Sequence, residues 1–109
     1  MQMIKLATAV NLATVAAGTA LAIPDKTPFF GKREIVIEVV SQGVVTSGST
    51  VQIQGQDGGT GGTWTTVATY TSAAGQDVKF TGTRYDYSRY NTTVGAGTGL
   101  IDVYLTAQS

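Results

Sequence analysis

Glu34-Ile-Val-Ile-Glu-Val-Val40 is the stretch whose reading decides the fold. Ile35, Ile37 and Val39 fall on one face of an extended chain and Glu34 and Glu38 on the other. This is the period of two expected of a half-buried strand, in residues whose β-branches suit a pleated surface. The same pattern recurs down the rest of the chain. Gln42-Gly43 and Ser47-Gly48-Ser49 punctuate the passage to a strand over Thr50–Gln54, with Val51 and Ile53 inward and Thr50, Gln52 and Gln54 outward. A glycine-rich loop, Asp57–Gly62, leads into Thr63–Thr71, which carries Trp64, Val67 and Tyr70. After the turn Ala73-Ala74-Gly75 come Asp77–Thr81, with Val78 and Phe80 inward, and Arg84–Thr93, with Tyr85, Tyr87 and Tyr90. Gly95-Ala96-Gly97 then turns into Gly99–Ala107, with Ile101, Val103 and Leu105 inward.

Upstream, Ile4, Leu6, Thr8, Val10 and Leu12 also alternate, which predicts a strand, although the alanines leave a short helix open for residues 6–17. Gly18–Ile23 reads as a further short strand. The segment Met1–Ala22 has the outline of a secretory signal: Lys5, an apolar run and a small-x-small site at Ala20-Leu21-Ala22. Asn11, Thr8, Thr14 and Thr19 interrupt that run, so a structural segment is the preferred reading and a cleaved signal the alternative. The connector Pro24–Lys32 holds both prolines and the pair Phe29 and Phe30, which either fold back over the core or anchor a partner. The expectation is an all-β protein: an antiparallel β-sandwich, jelly-roll-like, of seven or eight strands with an extended N-terminal segment. It forms one domain overall, with residues 1–33 as arm or first strands plus connector and 34–109 as the sandwich core.

Composition narrows the function. The 109 residues include no Cys and no His, which removes disulfides, thiolate chemistry and the commonest general base and metal ligand. Seven basic and seven acidic residues cancel, and only 13% of the chain is charged, against about 25% in ordinary domains. A nucleic-acid binder needs a concentrated basic face, and this chain has none to spare. So few charges suit a surface that is partly covered in use. Threonine, with 18 residues, supplies β-branches that tolerate water.

Chemical constellations are thin. Glu34 and Glu38 share a face but stand roughly 13 Å apart at about 3.3 Å per residue, beyond the range of a glycosidase pair. The loop Gly55–Gly62 lacks the Gly-Lys-Ser/Thr of a phosphate loop and is read as a hairpin turn closed by Asp57. Trp64 with the tyrosines is either a sugar-stacking platform or buried in a core or interface. Arg84 and Arg89 among Tyr85, Tyr87 and Tyr90 form a cross-strand ladder more readily than a single-strand nucleic-acid face. No catalytic residue, metal ligand or cofactor site emerges, and none is expected.

Taken together, Val51-Gln-Ile-Gln-Gly55, Asp57-Gly-Gly, Thr63-Trp-Thr-Thr-Val-Ala-Thr69, Tyr85-Asp-Tyr-Ser-Arg-Tyr-Asn-Thr-Thr93 and Gly99-Leu-Ile-Asp-Val-Tyr-Leu-Thr106 resemble the small β-sandwich decoration or cement proteins of tailed-bacteriophage heads. The resemblance covers about the last half of the chain. It departs from the pattern at Ser88 and Thr92, where apolar residues are usual. It implies a non-enzymatic virion protein on the capsid exterior that binds the major capsid protein and stabilises capsomers. Such a protein forms a homo-dimer or homo-trimer and engages neither nucleic acid nor membrane. Phe29, Phe30, Trp64, Tyr85, Tyr87 and Arg89 are the candidate partner-binding residues. The alternative is a carbohydrate- or receptor-binding module of a tail fibre or spike, with Trp64 and several tyrosines in one exposed patch.

Overall fold

The computed structural model describes residues 3–23, 34–58, 62–73 and 77–107. These form eight strands: β1 (Ile4–Asn11), β2 (Leu21–Ala22), β3 (Glu34–Gln42), β4 (Ser49–Gln56), β5 (Thr65–Thr71), β6 (Val78–Thr83), β7 (Tyr87–Gly95) and β8 (Leu100–Ala107). One sheet has the order β1-β8-β3-β6 and the other β2-β7-β4-β5, and every pairing is antiparallel. The pairs β1·β8, β2·β7, β3·β6 and β4·β5 are nested. The chain is therefore one long hairpin rolled over itself, which is the jelly-roll arrangement.

The alternation expected of β3, β4 and β8 places their aliphatic residues in one shared core. Ile37, Val39, Val51, Ile101, Val103 and Leu105 have no exposed surface. Each contributes about 1.5–3 kcal/mol by leaving water. Tyr70 of β5 is the largest fully buried side chain. Val78 and Phe80 of β6 are half-buried and pack against the core edge. β5 and β6 meet across the two sheets where Val67 lies over Gly82. A Cβ on Gly82 would overlap the valine, so glycine is required by that contact.

Residues 6–17 contain no helix. β1 is a strand, but its partnership with β8 slips twice, between Lys5 and Ala7 and between Ala7 and Val10. The slips exist because Ala9 takes a left-handed backbone (φ 53°), which turns Thr8 out to solvent and keeps Leu6 and Val10 in the core. The carboxylate of Asp102 holds that irregularity. Its Oδ1 accepts hydrogen bonds from the Ala9 amide at 2.8 Å, from Thr8 Oγ1 at 3.1 Å and from Gln42 Nε2 at 2.6 Å. Residues 16–23 pair only intermittently along β7, with Thr92 N donating to Ala16 O and Gly18 N to Tyr90 O. Of the N-terminal segment, β1 and β2 are thus members of the two sheets, and the Pro24–Lys32 connector lies outside the described residues.

β7 explains the departures at Ser88 and Thr92. Both are buried and face inward, opposite Gly55 and Val51 of β4. Thr92 Oγ1 has no hydrogen-bond partner. Replacing it by the similarly shaped valine removes an unsatisfied buried polar group, so Thr92→Val is expected to stabilise the protein by about 1 kcal/mol. A raised urea midpoint with an unchanged slope would record this.

Asp102 makes stability pH-dependent. The Ala9 amide holds its carboxyl below the ordinary carboxylate range, aided by Gln42, Thr8 and the charge of Lys5 and opposed by burial. A carboxylate whose pKa is lower in the folded state stabilises the fold above its unfolded value and loses that contribution as pH falls through the folded one. Asp102→Asn is therefore expected to be less stable than the parent at pH 6. The difference should shrink as the pH drops below about 4, measured as urea midpoints across an acid series.

Candidate functional site

The rolled hairpin sends alternate connections to the same end of the sandwich. The connections β1–β2, β3–β4, β5–β6 and β7–β8 meet at one end, because Asn11 and Gln42 both pair with Leu100, Ser49 pairs with Gly95, and Thr50 with Thr71. Buried hydroxyls join the four. Ser49 Oγ donates to the carbonyl of Leu12 and accepts from the Gly97 amide, 2.9 Å away. The Ser49 amide donates to Ser72 Oγ at 3.0 Å, and Ser72 Oγ donates to Thr46 O at 2.8 Å. Thr46 and Thr98 exchange backbone and hydroxyl bonds: Thr46 N to Thr98 O at 2.9 Å, Thr98 N to Thr46 Oγ1 at 2.8 Å, and the two hydroxyls at 2.9 Å. Gly97 fits among Thr46, Ser47 and Ser49 only because it lacks a Cβ. These bonds hold the end as one platform rather than four separate loops.

The surface of this platform is uncharged, with large apolar side chains exposed among the hydroxyls of Thr14, Thr46, Ser47 and Thr98. At this end Val44 is 84% exposed, Val15 63%, Val94 48% and Leu100 37%. Val15 lies against Gly95, and the backbone of Val44 against Gly99, so both connections are seated on the glycines of the β7–β8 turn and the start of β8. Residues 12–20, 43–50 and 93–100 contain no charged side chain. Asp77 is the charged residue among the described parts of the four connections, and its carboxylate is committed to the Ser41 amide at 3.0 Å. The opposite end holds Asp57, Arg84, Asp86 and the start of β3 at Glu34.

The residues singled out from the sequence lie elsewhere. Phe29 and Phe30 fall outside the described residues. Trp64 is half-buried, and the Arg89 guanidinium stacks on it 4.4 Å from the ring centre. Arg89 Nε donates to Gln54 Oε1 at 2.8 Å, Gln54 Nε2 to Gln52 Oε1 at 3.2 Å, and Thr66 Oγ1 to the same oxygen at 3.3 Å. This row runs across the outer face of the β2-β7-β4-β5 sheet, where Tyr87 pairs with Gln56. The tyrosines divide. Tyr90 turns inward over Gly18, Tyr85 lies over Gly55, and Tyr87 stays outside, so they do not join Trp64 in one stacking patch. Arg84 is buried, its Nη1 3.3 Å from the carbonyl of Ile23, and shares no face with Arg89.

The platform escaped the sequence reading, although its signal was present as three long stretches without charge. What the linear chain does not show is that these stretches meet. Comparison of the chain with protein-family models, with curated proteins and with solved structures finds no match.

Ser49→Ala removes a hydroxyl that serves Leu12 and Gly97 at once and leaves both without a partner in a buried site. A loss of about 2–3 kcal/mol is expected, read as a lower midpoint in chemical denaturation. Thr46→Val, at an exposed position, is expected to cost about 1 kcal/mol or less.

Proposed function

We propose that this chain is a non-enzymatic virion protein that seats this platform on the outer surface of a tailed-phage head and there stabilises the capsomers. The observation that carries this reading is the platform itself: four connections locked together, free of charge except for Asp77, with Val15, Val44 and Val94 held out in water. Exposed apolar groups held on a rigid frame are the anchors from which interfaces draw their energy, because little ordering remains to be done on docking. The jelly-roll order and the resemblance in Val51–Thr106 support the same reading.

The partner is the major capsid protein. Four apolar side chains give only a small contact for one copy, and association itself costs several kcal/mol. Grouping copies as dimers or trimers around a capsid symmetry axis overcomes this, since the second and third contacts become intramolecular. A carbohydrate-binding platform built on Trp64 and several tyrosines is less well supported, because the tyrosines point to three different places.

The test is co-sedimentation with purified tailed-phage heads. The parent protein is expected to bind saturably and to raise the temperature at which the heads rupture. Val15→Glu with Val44→Glu is expected to weaken binding at least a hundredfold while leaving the unfolding midpoint within about 0.5 kcal/mol, as for other exposed positions. Glu34→Ala, at the opposite end of the sandwich, is expected to bind as the parent does. Equal binding by the glutamate variant would remove the platform from this role.

A further inference from the structure

At the end opposite the platform, Gln56, Asp57, Gly58, Gly62, Thr63, Thr65 and Tyr85 line an open cleft of about 430 Å³. Its walls are fixed by hydrogen bonds between neighbouring connections. The Asp86 amide donates to Asp57 Oδ1 at 2.9 Å, and the Gly58 amide donates to Asp86 Oδ2 at 3.0 Å, so the turn after β4 and the turn before β7 hold each other. Tyr85 can lie flat against β4 because Gly55 has no Cβ. Gln56 is 6% exposed; its Nε2 donates to Thr63 O at 3.0 Å, while its Oε1 is buried with no donor. Buried acceptors of this kind are rare.

We infer that this cleft is a binding site for a neutral sugar. The volume falls in the range of small-molecule sites. An anionic ligand is disfavoured, because among the described residues that line the cleft Asp57 is the charged one and none is Lys or Arg. A metal ion is disfavoured as well. One oxygen of each carboxylate is already committed to a backbone amide, and no cluster of three His, Cys, Asp or Glu occurs among the described residues. A peptide side chain would want an apolar pocket, and the lining is amide, hydroxyl, carboxylate and glycine around one ring. A pyranose matches the lining. Its hydroxyls donate to the Asp57 carboxylate and exchange bonds with Thr63 and Thr65, and its C–H face lies on Tyr85. This site is distinct from the Trp64–Arg89 row, and it does not depend on the platform's role.

The full-length chain, labelled with ¹⁵N, would be titrated with glucose, galactose, mannose, N-acetylglucosamine and their β-linked disaccharides while amide resonances are followed. At least one sugar is expected to bind with a dissociation constant of the order of 1 mM, moving the amides of Gln56, Asp57, Thr63, Thr65 and Tyr85. Asp57→Asn preserves the oxygen that accepts from Asp86 but removes the charge, and is expected to bind at least tenfold more weakly at an unchanged unfolding midpoint. If that variant does not fold, Thr65→Val at the cleft wall serves in its place, with the same expectation. The inference is overturned if no sugar moves these amides, if the shifts centre on Trp64 and Arg89, if the folded variant binds like the parent, or if calcium chloride alone moves them and sugars do not.

Discussion

The hydroxyl of Ser49 is the contact on which the order of one whole end of this molecule depends. A jelly roll brings four connections to one end but gives them no ladder to share, since each lies beyond its strands. Backbone groups there would be buried without partners as the loops close over the core. Ser49 Oγ answers this by serving Leu12 on one side and Gly97 on the other, while its amide engages Ser72. Serine fits because it is both donor and acceptor in little space. Gly97 is its necessary counterpart, since any side chain there would collide with Thr46, Ser47 and Ser49.

Once that end is locked by buried polar bonds, its outward surface is relieved of stabilising the fold. The loops carry valines and alanines outward among exposed hydroxyls, while Ser49 and Ser72 turn inward to join them. What sets these loops apart from an ordinary surface loop is the lack of charge and the exposed valines.

β1 shows a second solution to a local conflict. Its hydrophobic residues reach the core only if the strand slips against β8, and the slip requires Ala9 to adopt a conformation unfavourable to any residue with a Cβ. Asp102 offsets this cost by taking three hydrogen bonds at one oxygen, two of them from β1 and one from Gln42 of β3. A single carboxylate thus ties the edge strand to the two strands beside it. Its neighbours on β8, Ile101 and Val103, face the core and Asp102 the opposite way, so the tie lies on the outer face of the sheet.

Much of the fold was written in the chain. The alternation of Ile35, Ile37 and Val39, of Val51 and Ile53, and of Ile101, Val103 and Leu105 is a consequence of side chains pointing to opposite faces every residue, and it requires no knowledge of partners. Glycine pairs and Ser-Gly clusters marked the connections because few other residues turn so tightly. The absence of His and Cys likewise needed no structure. The bulges of β1 and the inward turn of Ser88 and Thr92 were not legible, because they depend on the register with β8 and β4 rather than on local preference. Nor were the two candidate sites. Residues 12–20, 43–50 and 93–100 are separate uncharged stretches in sequence, and Asp57 and Asp86 are 29 residues apart. Only the rolling of the nested hairpin carries the first set to one end and the second pair to the other, since which turns become neighbours is fixed by the order in which strands join the sheets.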